Sequence, residues 1–435
     1  MLLVKKFIKT KDFKFFLLCL IINIIIFFAF YTIYHGRNWT VYNDSGDYVG
    51  IAQNIIKNGQ YGFNLAMPDG SRTPVYPLFV ALFGANIGLV VFVQHILSAF
   101  VGLMVFKIGK NLFTQRSGWW AGLFFATEPS VIVWTNQALT EPLFTFLLVS
   151  AIYLFILGLE KKHNLLFSSL LFGLMVLTRP IGLLLIIPIM VFLFIWKKFN
   201  YIAFKIIVLF FLIFLAVLFP WYLRNKITFD VWTLDTMSSI VLNDEAQKVL
   251  NIHKDEESAK VLNEKYPNMI REEIDRDGFK GVSTRNPNIA MYYKKQAKAI
   301  IMTYPLTFIT LHLSGVPGIL FKHNYDYYGQ ILARSLGNLN FGAIYTPLRL
   351  IGSIIWYLIP ILAFFGFIYR LREGDGKIRL KVIFLFGIII YFILITGHGG
   401  NDRFRYPISP ILLLFAFFGL FSGFNILKKK LYKYV

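Results

Sequence analysis

A chain of 435 residues with 57% hydrophobic and only 15% charged residues is too apolar for an ordinary soluble domain, in which about 25% of residues are charged. Its formal net charge of +21 does not indicate nucleic-acid binding, because the basic residues lie in short segments between long apolar runs. Those runs are near the ~20 residues that a helix needs to cross a bilayer. The composition therefore predicts an all-α polytopic membrane protein.

Ten apolar segments are expected to cross the membrane as helices. The first follows a basic N-terminus and lacks a small-residue cleavage site, so it is interpreted as a retained span and not as a signal peptide. Polar loops at about 35–76 and 223–299 then lie outside, and Asp244–Arg276 is expected to be helical and solvated. The spans cover about 13–34, 88–107, 117–134, 142–159, 164–178, 181–196, 205–222, 350–370, 382–397 and 408–427.

The orientation of these spans follows from six basic segments that contain few acidic residues. The positive-inside rule places such segments in the cytoplasm, where anionic lipid also attracts them. Both termini are therefore expected in the cytoplasm. The segments are Lys5–Lys14, Lys107–Arg116, Lys161–Lys162, Lys197–Lys205, Arg370–Lys381 and Lys428–Lys433.

The segment 299–321 is apolar but contains two prolines and a histidine. A full crossing here would move the basic segment 370–381 and the C-terminal lysines to the outside. We therefore expect a re-entrant or interfacial element, and the alternative is a full crossing paired with a weakly apolar one near 330–346. The resulting parts are an N-terminal transmembrane catalytic module at 1–225, an extracytoplasmic polar region at 226–349 and C-terminal transmembrane helices at 350–435.

Two carboxylates follow the first predicted span, in the sequence Asp44-Ser45-Gly46-Asp47. On a helical turn, a spacing of three residues places both acids on one face. A carboxylate that lies close to the membrane and is accessible to water suits a general base. The alternative is a solvated loop in which Asp44 or Ser45 only caps the helix that follows.

Arginines in the predicted external loops offer paired donors that suit phosphate oxygens. Arg72 precedes a proline-stiffened return to the membrane, and Arg224 ends the seventh span. Arg179, in Thr178-Arg179-Pro180, lies in a very short turn between two apolar spans, where an unused charge is costly. For each of them the alternative is contact with lipid headgroups.

Further polar groups stand at the start of the fourth span and in the last external loop. Glu141 begins that span, where an acid either serves a substrate or only complements the helix dipole. The last loop contains Arg403, Arg405 and Tyr406, a set that can clamp a phosphate beside an apolar groove. The sequence shows neither a Walker motif nor a Gly-rich nucleotide loop, which argues against an ATP-driven pump or an enzyme that uses nucleotide sugars.

In chain order, these pieces resemble a known family of membrane enzymes. The chain is similar to the GT-C fold glycosyltransferases, in the glycosyltransferase family 39-like branch related to dolichyl-phosphate-mannose–protein mannosyltransferases and bacterial aminoarabinose transferases. The resemblance runs from about residue 40 to 225 and resumes near 403–410. It rests on Asp44 and Asp47, Arg72-Thr73-Pro74-Val75-Tyr76-Pro77, Thr140-Glu141, Thr178-Arg179-Pro180, Pro220-Trp221-Tyr222-Leu223-Arg224-Asn225 and Arg405-Tyr406.

The resemblance implies a bundle of about 10 to 12 helices with the active site in extracytoplasmic loops. A hexosyl or pentosyl group would move from a polyprenyl- or dolichyl-phosphate donor to an acceptor hydroxyl, with inversion. Asp44 would be the general base, while Asp47 and Glu141 would orient the sugar or acceptor or hold a divalent metal (Mg or Mn), in whose use relatives differ. The groups that would bind the lipid phosphate are Arg72, Arg179, Arg224, Arg403, Arg405 and Tyr406.

The same resemblance implies an integral protein of a prokaryotic plasma membrane whose acceptor is a lipid, a glycan or a protein. The chain lacks the large soluble domain of the eukaryotic relatives, which leaves protein as the acceptor open. Two other functions stay open. One is a polysaccharide polymerase or ligase, or a lipid-linked glycan flippase, whose arginines would bind pyrophosphate without a base. The other is a secondary transporter, which the scarcity of acidic residues within the spans disfavours.

Overall fold

Helices joined by turns make up the protein, and the residues that the structure describes contain no strand. The computed structural model describes residues 10–33, 44–62, 68–197, 201–276, 278, 285–323 and 341–431. The all-α class expected from the composition is confirmed. The alternative crossing near 330–346 falls mainly outside the described residues.

The first half of the chain supplies most of the bundle. Proline or polar residues mark many of the helix ends. The helices are α1 (Lys11–Ile33), α2 (Ser45–Asn58), α3 (Val75–Leu82), α4 (Ile87–Leu112), α5 (Gln115–Thr127), α6 (Pro129–Thr135), α7 (Glu141–Gly158), α8 (Lys162–Val176), α9 (Ile186–Lys197, preceded by a 3₁₀ turn at Pro180–Leu185) and α10 (Tyr201–Phe229).

A polar helical region follows α10. The stretch Asp244–Arg276, expected to be helical and solvated, lies on two helices, α11 and α12, which are separated by residues 253–256. Small and apolar side chains of α11, among them Ala246 and Val249, pack against Ala297 of α13. The helices here are α11 (Met237–Ile252), α12 (Glu257–Arg276), α13 (Pro287–Thr303), α14 (Pro305–Ser314) and α15 (Val316–Phe321).

Three long helices, α16 (Phe341–Glu373), α17 (Gly376–Ile395) and α18 (Ser409–Leu431), complete the bundle. Within the described residues, seven helices are long and apolar enough to cross a membrane, or eight if the pair α13 and α14–α15 counts as one span. That pair is bent by 103°. The predicted fifth and tenth spans correspond to the shorter apolar helices Lys162–Val176 and Ser409–Phe424, and the predicted third span is broken between α5 and α6.

Close contacts between glycines hold the helices together. A Cβ added at Gly109 of α4 would lie 2.3 Å from the Cα of Gly118 in α5, and one at Gly122 would lie 2.5 Å from the carbonyl oxygen of Gly102. Small residues are favoured at such crossings because dispersion contacts between closely approaching backbones replace the hydrophobic effect inside a bilayer. These glycines let α4 and α5 touch along their length.

The basic turns between helices meet at one end of the bundle. Lys110 lies 3.8 Å from Asp12, and Lys381 lies 3.8 Å from Glu160, so turns from distant parts of the chain are neighbours. Glu141 begins α7 and Arg179 follows α8, at the helix ends away from Glu160 and Lys162, and these two residues form an ion pair, so loops also meet at the opposite end of the bundle. Those loops contain most of the residues selected from the sequence.

Candidate active site

Four carboxylates and four arginines form one continuous ion-pair chain at the end of the bundle opposite the basic turns. Acids and arginines alternate along it, so each inner member contacts two partners of opposite charge. With every member ionised, the net charge of the ion-pair chain is zero. Its order is Arg179, Glu141, Arg403, Asp44, Arg72, Asp47, Arg285 and Asp69.

Arg72 occupies the middle of the ion-pair chain and bridges the two acids that follow α1. Its Nη2 atom lies 3.1 Å from Oδ1 of Asp44 and 2.8 Å from Oδ2 of Asp47. Asp47 lies in the first turn of α2 and Asp44 directly precedes that helix. The side chain of Asp44 makes no capping hydrogen bond. The role of a simple helix cap therefore does not describe Asp44, whose charge faces arginines.

Arg403 joins Asp44 to Glu141. Its Nη1 atom lies 2.9 Å from Oδ2 of Asp44, and its Nε donates to Oε1 of Glu141. The same Glu141 oxygen accepts a hydrogen bond of 2.6 Å from Nη1 of Arg179. Glu141 is fully buried at the start of α7, whereas the side chains of Arg179 and Arg403 are 14% and 13% exposed. A buried carboxylate thus holds two arginines that still reach the surface.

Arg285 and Asp69 complete the ion-pair chain, and sequence reasoning missed both. Arg285 Nη2 lies 2.7 Å from Oδ1 of Asp47, and its Nη1 lies 2.7 Å from Oδ2 of Asp69. Asp69 is almost fully buried and also accepts hydrogen bonds from the backbone and hydroxyl of Ser71. The turn-forming sequence Asp69-Gly70-Ser71 could have indicated Asp69 from the sequence. Arg285 had none, since it lies in the polar region that resembled nothing.

A layer of neutral polar side chains supports the ion-pair chain from beneath. The hydroxyl of Tyr48 lies 3.4 Å from Nη1 of Arg72, and the Tyr48 ring meets the ring of Tyr76 edge-on. Tyr76 donates to Gln94 at 2.7 Å, and Gln94 donates to the backbone carbonyls of residues 135 and 137. Those carbonyls belong to the end of α6 and to the turn that leads into α7. Buried hydrogen bonds therefore fix the position from which Glu141 projects.

Tyr406 belongs to this supporting layer. Its hydroxyl lies 2.8 Å from the hydroxyl of Thr135, and its side chain is only 2% exposed. The bond ties the last loop of the chain to the end of α6. The structure thus buries Tyr406 in a hydrogen bond with Thr135, although the sequence interpretation assigned it to the lipid phosphate.

Two of the predicted phosphate-binding arginines contact backbone carbonyls instead of the acids. Arg224 donates to the carbonyls of Asp69 and Tyr61 and lies 4.8 Å from the ring of Trp221. It therefore links α10 to the loop that carries Asp69. Arg405 is 1% exposed, and its guanidinium lies 3.4 Å from the centre of the Trp356 ring. It donates to the carbonyls of Ile319, Leu320 and Lys322.

The charges along the ion-pair chain stabilise one another. Burial raises the pKa of the Asp47 carboxyl, but hydrogen bonds from Arg285 and Arg72 outweigh it and leave that pKa below its usual value. Burial works against the charge on Arg72 and Arg403, yet neighbouring Tyr48, Asp44 and Glu141 raise the pKa of these arginines above the usual value. Asp47 and the bridging arginines are therefore ionised near neutral pH.

The residues gathered here do not fit a divalent-metal site. A metal such as Mg²⁺ needs several oxygen ligands that converge on one point. Asp47 and Glu141, the expected ligands, each bind two arginines and are separated by the Arg403–Asp44–Arg72 stretch. Among the described residues, no group of three acidic, histidine or cysteine side chains could hold a metal ion. Guanidinium groups lie between the carboxylates where a cation would be needed.

Comparison with known proteins gives one partial family match. Residues 75–223 match the family described as Dolichyl-phosphate-mannose-protein mannosyltransferase. The matched segment runs from α3 into α10, contains Glu141 and Arg179, and covers less than half of the chain. A search of the curated proteins gives no match.

Solved structures show the fold. The archaeal oligosaccharyltransferase AglB from Archaeoglobus fulgidus, in complex with an inhibitory peptide and a dolichol-phosphate, aligns with a TM-score of 0.53, 14% identity, and 99% of this chain and 52% of that chain. The apo form of the oligosaccharyltransferase aligns with a TM-score of 0.55, 14% identity, and 98% and 52% of the two chains. ArnT from Cupriavidus metallidurans in the apo state aligns at 0.41, with 12% identity and 91% and 78% covered.

The chain therefore has the GT-C fold, and the resemblance to GT-C glycosyltransferases that its motifs predicted is confirmed. It spans about half the length of the oligosaccharyltransferase chains that it matches. The chain is also an integral membrane protein, since several of its helices are long and apolar enough to cross a bilayer.

Proposed function

We propose that this protein is a glycosyltransferase that moves a sugar from a polyprenyl- or dolichyl-phosphate donor to an acceptor hydroxyl. The observation that carries the proposal is the ion-pair chain, in which Arg403 connects a buried acid, Glu141, to a more exposed one, Asp44. The family match over residues 75–223 and the fold support it. The positive-inside rule puts this end of the bundle on the extracytoplasmic side.

Arg179 and Arg403 are the proposed binding site of the lipid phosphate. Both are held by Glu141 and both keep some exposure, so a phosphate can reach their guanidinium groups. Arginine donors match two phosphate oxygens at once. When the sugar leaves, negative charge builds up on that phosphate, and two fixed arginines stabilise it.

Asp44 is the proposed general base. Its two oxygens are engaged, Oδ1 by Arg72 and Oδ2 by Arg403. A donor phosphate that binds Arg403 competes with Asp44 for that arginine and releases Oδ2 toward the acceptor hydroxyl. The neutral ion-pair chain thereby couples donor binding to the exposure of the base.

Transfer then proceeds in one displacement. The acceptor oxygen forms a bond to the anomeric carbon, the bond from that carbon to the phosphate oxygen breaks with its electrons on the phosphate, and the acceptor proton moves to Asp44. Attack from the face opposite the phosphate inverts the anomeric configuration. Asp47, fixed by Arg72 and Arg285, orients the sugar or the acceptor.

The lipid partner is proposed from the same charges and from the AglB structure, which contains a dolichol-phosphate and an inhibitory peptide. The donor is a hexosyl or pentosyl group linked to polyprenyl or dolichyl phosphate in the bilayer. The acceptor is a protein, a lipid or a glycan with a free hydroxyl on the same side. With a donor in the bilayer and an acceptor on the same side, the proposed reaction takes place in the cell envelope.

The direct test is sugar transfer in proteoliposomes supplied with labelled polyprenyl-phosphate sugars. Wild type is expected to transfer label to a hydroxyl acceptor, and Asp44→Asn to lose a factor of about 10²–10⁴ in rate. Asp230→Asn is the matched control, because Asp230 is 89% exposed and pairs only at the surface with Lys226. Glycan movement across the vesicle membrane without any transfer would support a flippase and contradict the proposal.

A further inference from the structure

The helix α14 has an unusual surface. Its ten residues include no acidic residue, lysine or arginine, and none of them is buried. Leu306, Ile309 and Leu313 are 78%, 52% and 42% exposed, and Met302 at the end of α13 is 71% exposed. Leu306, Ile309 and Leu313 are spaced by three and four residues and form one stripe along α14. A stripe of large apolar side chains on a helix without charges is not suited to water.

The opposite side of α14 packs on the polar region. Phe308 and Leu311 lie against the apolar cluster of α11 and α13. His312 contacts Glu245 of α11 at 3.3 Å. The apolar stripe therefore points away from α11, and in the described part of the chain its side chains remain exposed.

Contacts with the bundle show the level of α14 and α15. Nε2 of His312 lies 2.7 Å from the carbonyl oxygen of Leu394, in the last turn of the candidate span Gly376–Ile395. The ring of Phe321 stacks on Tyr357 at 5.1 Å, in the second or third turn of the span that starts at Arg349. The His312 contact places the last turn of α14 where one span ends, which is the depth of the boundary between lipid headgroups and acyl chains, while the end of α15 lies deeper along the other span.

The stripe continues a surface that already faces lipid. Leu350, Ile354 and Leu394 of the neighbouring spans are exposed and apolar, as expected of residues that contact acyl chains. On the other side of the 103° bend, α13 exposes lysines, among them Lys298. The change from a charged to an uncharged surface thus coincides with the bend.

The element is attached firmly to the last loop of the site end. A Cβ at Gly315 would lie 2.0 Å from the carbonyl oxygen of Gly397, and one at Gly318 would lie 2.2 Å from that of Gly400. Arg405 holds three carbonyls at the end of α15. The backbone of α15 therefore rests on the loop that also carries Arg403.

We propose that α14 is an interfacial helix whose stripe of Leu306, Ile309 and Leu313 is embedded in the lipid bilayer at the site end of the bundle. The partner of this surface is a phospholipid bilayer, which the helix enters to the depth of the upper acyl chains. In this position α14 neither crosses the membrane nor lies in water. It anchors the polar helices α11 and α12 on the membrane beside the ion-pair chain, whatever reaction occurs there.

The test uses single-cysteine variants, because Cys19 is the only cysteine and is buried. In a Cys19→Ala background, Leu306→Cys and Ile309→Cys are labelled with bimane in vesicles of phosphatidylcholine and phosphatidylglycerol. Ile354→Cys on a membrane span and Lys260→Cys on exposed α12 are the matched controls. Quenching by lipid-attached nitroxide and by aqueous iodide is then compared.

Labels at 306 and 309 are expected to show the strong nitroxide and weak iodide quenching of the label at 354, with the label at 260 showing the reverse. Iodide quenching as strong as at 260 would place α14 in water and overturn the proposal. A label that neither quencher reaches would indicate protein over the stripe and would overturn it as well. If one variant does not elute as folded protein, Leu313→Cys provides the same measurement.

Discussion

Removal of the charge on Glu141 tests how the ion-pair chain holds its arginines. Glu141→Gln keeps the volume of the side chain and retains one oxygen that can accept a hydrogen bond. It removes the carboxylate from a fully buried position at which Arg179 and Arg403 converge. Arg403 keeps Asp44 as a partner at 2.9 Å, whereas no second ion pair is seen for Arg179 among the described residues.

The size of the effect follows from this arrangement. Breaking a buried ion pair costs about 3–5 kcal/mol when the remaining charge has no partner. Because both arginines keep some exposure and Arg403 keeps Asp44, we expect the free energy of unfolding to fall by about 2–3 kcal/mol. Loss of one positioned donor to a developing negative charge lowers kcat by about 10²–10³. We therefore expect a decrease near the lower value, together with weaker inhibition by free polyprenyl phosphate.

The measurements are thermal unfolding in detergent and initial rates in proteoliposomes over a range of donor concentrations. Glu160→Gln is the matched control, since that side chain is 76% exposed at the basic end and pairs with Lys381 only at 3.8 Å. It should change neither quantity. A Glu141→Gln enzyme with wild-type kcat and wild-type inhibition by polyprenyl phosphate would refute the assignment of Arg179 and Arg403 to the lipid phosphate.

Three further outcomes are expected. Arg403→Gln should lower kcat more than Arg405→Gln. Arg405→Gln should lower the melting temperature more, because Arg405 holds backbone carbonyls inside the fold; the reverse order would contradict these assignments. Arg285→Gln should speed proteolysis of the polar helices, since it removes ion pairs to Asp47 and Asp69. Burial raises the pKa of Asp402 to about 6, so the stability that its protonation provides is lost as pH rises through 6. Melting temperature should therefore increase from pH 7 to pH 5, and Asp402→Asn should reduce that increase.

Much of the fold was predictable because it depends on local properties of the chain. The length of an apolar run decides whether a helix can cross a bilayer, and basic segments decide which ends of the helices are neighbours. The bend near Pro305 was also readable, because proline interrupts a helix at its own position. The three-residue spacing of Asp44 and Asp47 on a helical turn likewise brings both acids to one guanidinium.

The partners within the site were not predictable in this way, since they depend on which distant segments meet. Arg403 and Arg405 are two residues apart and were assigned the same role, yet one faces carboxylates and the other faces backbone carbonyls beside Trp356. Arg285 reaches Asp47 from 238 residues away. The sequence alone, through its charges and residue types, determined that arginines and acids would gather at one end of a membrane bundle. Only tertiary packing decided which of them pair, because a buried charge is costly without an opposite charge beside it, and the packing of distant segments determines which charge that is.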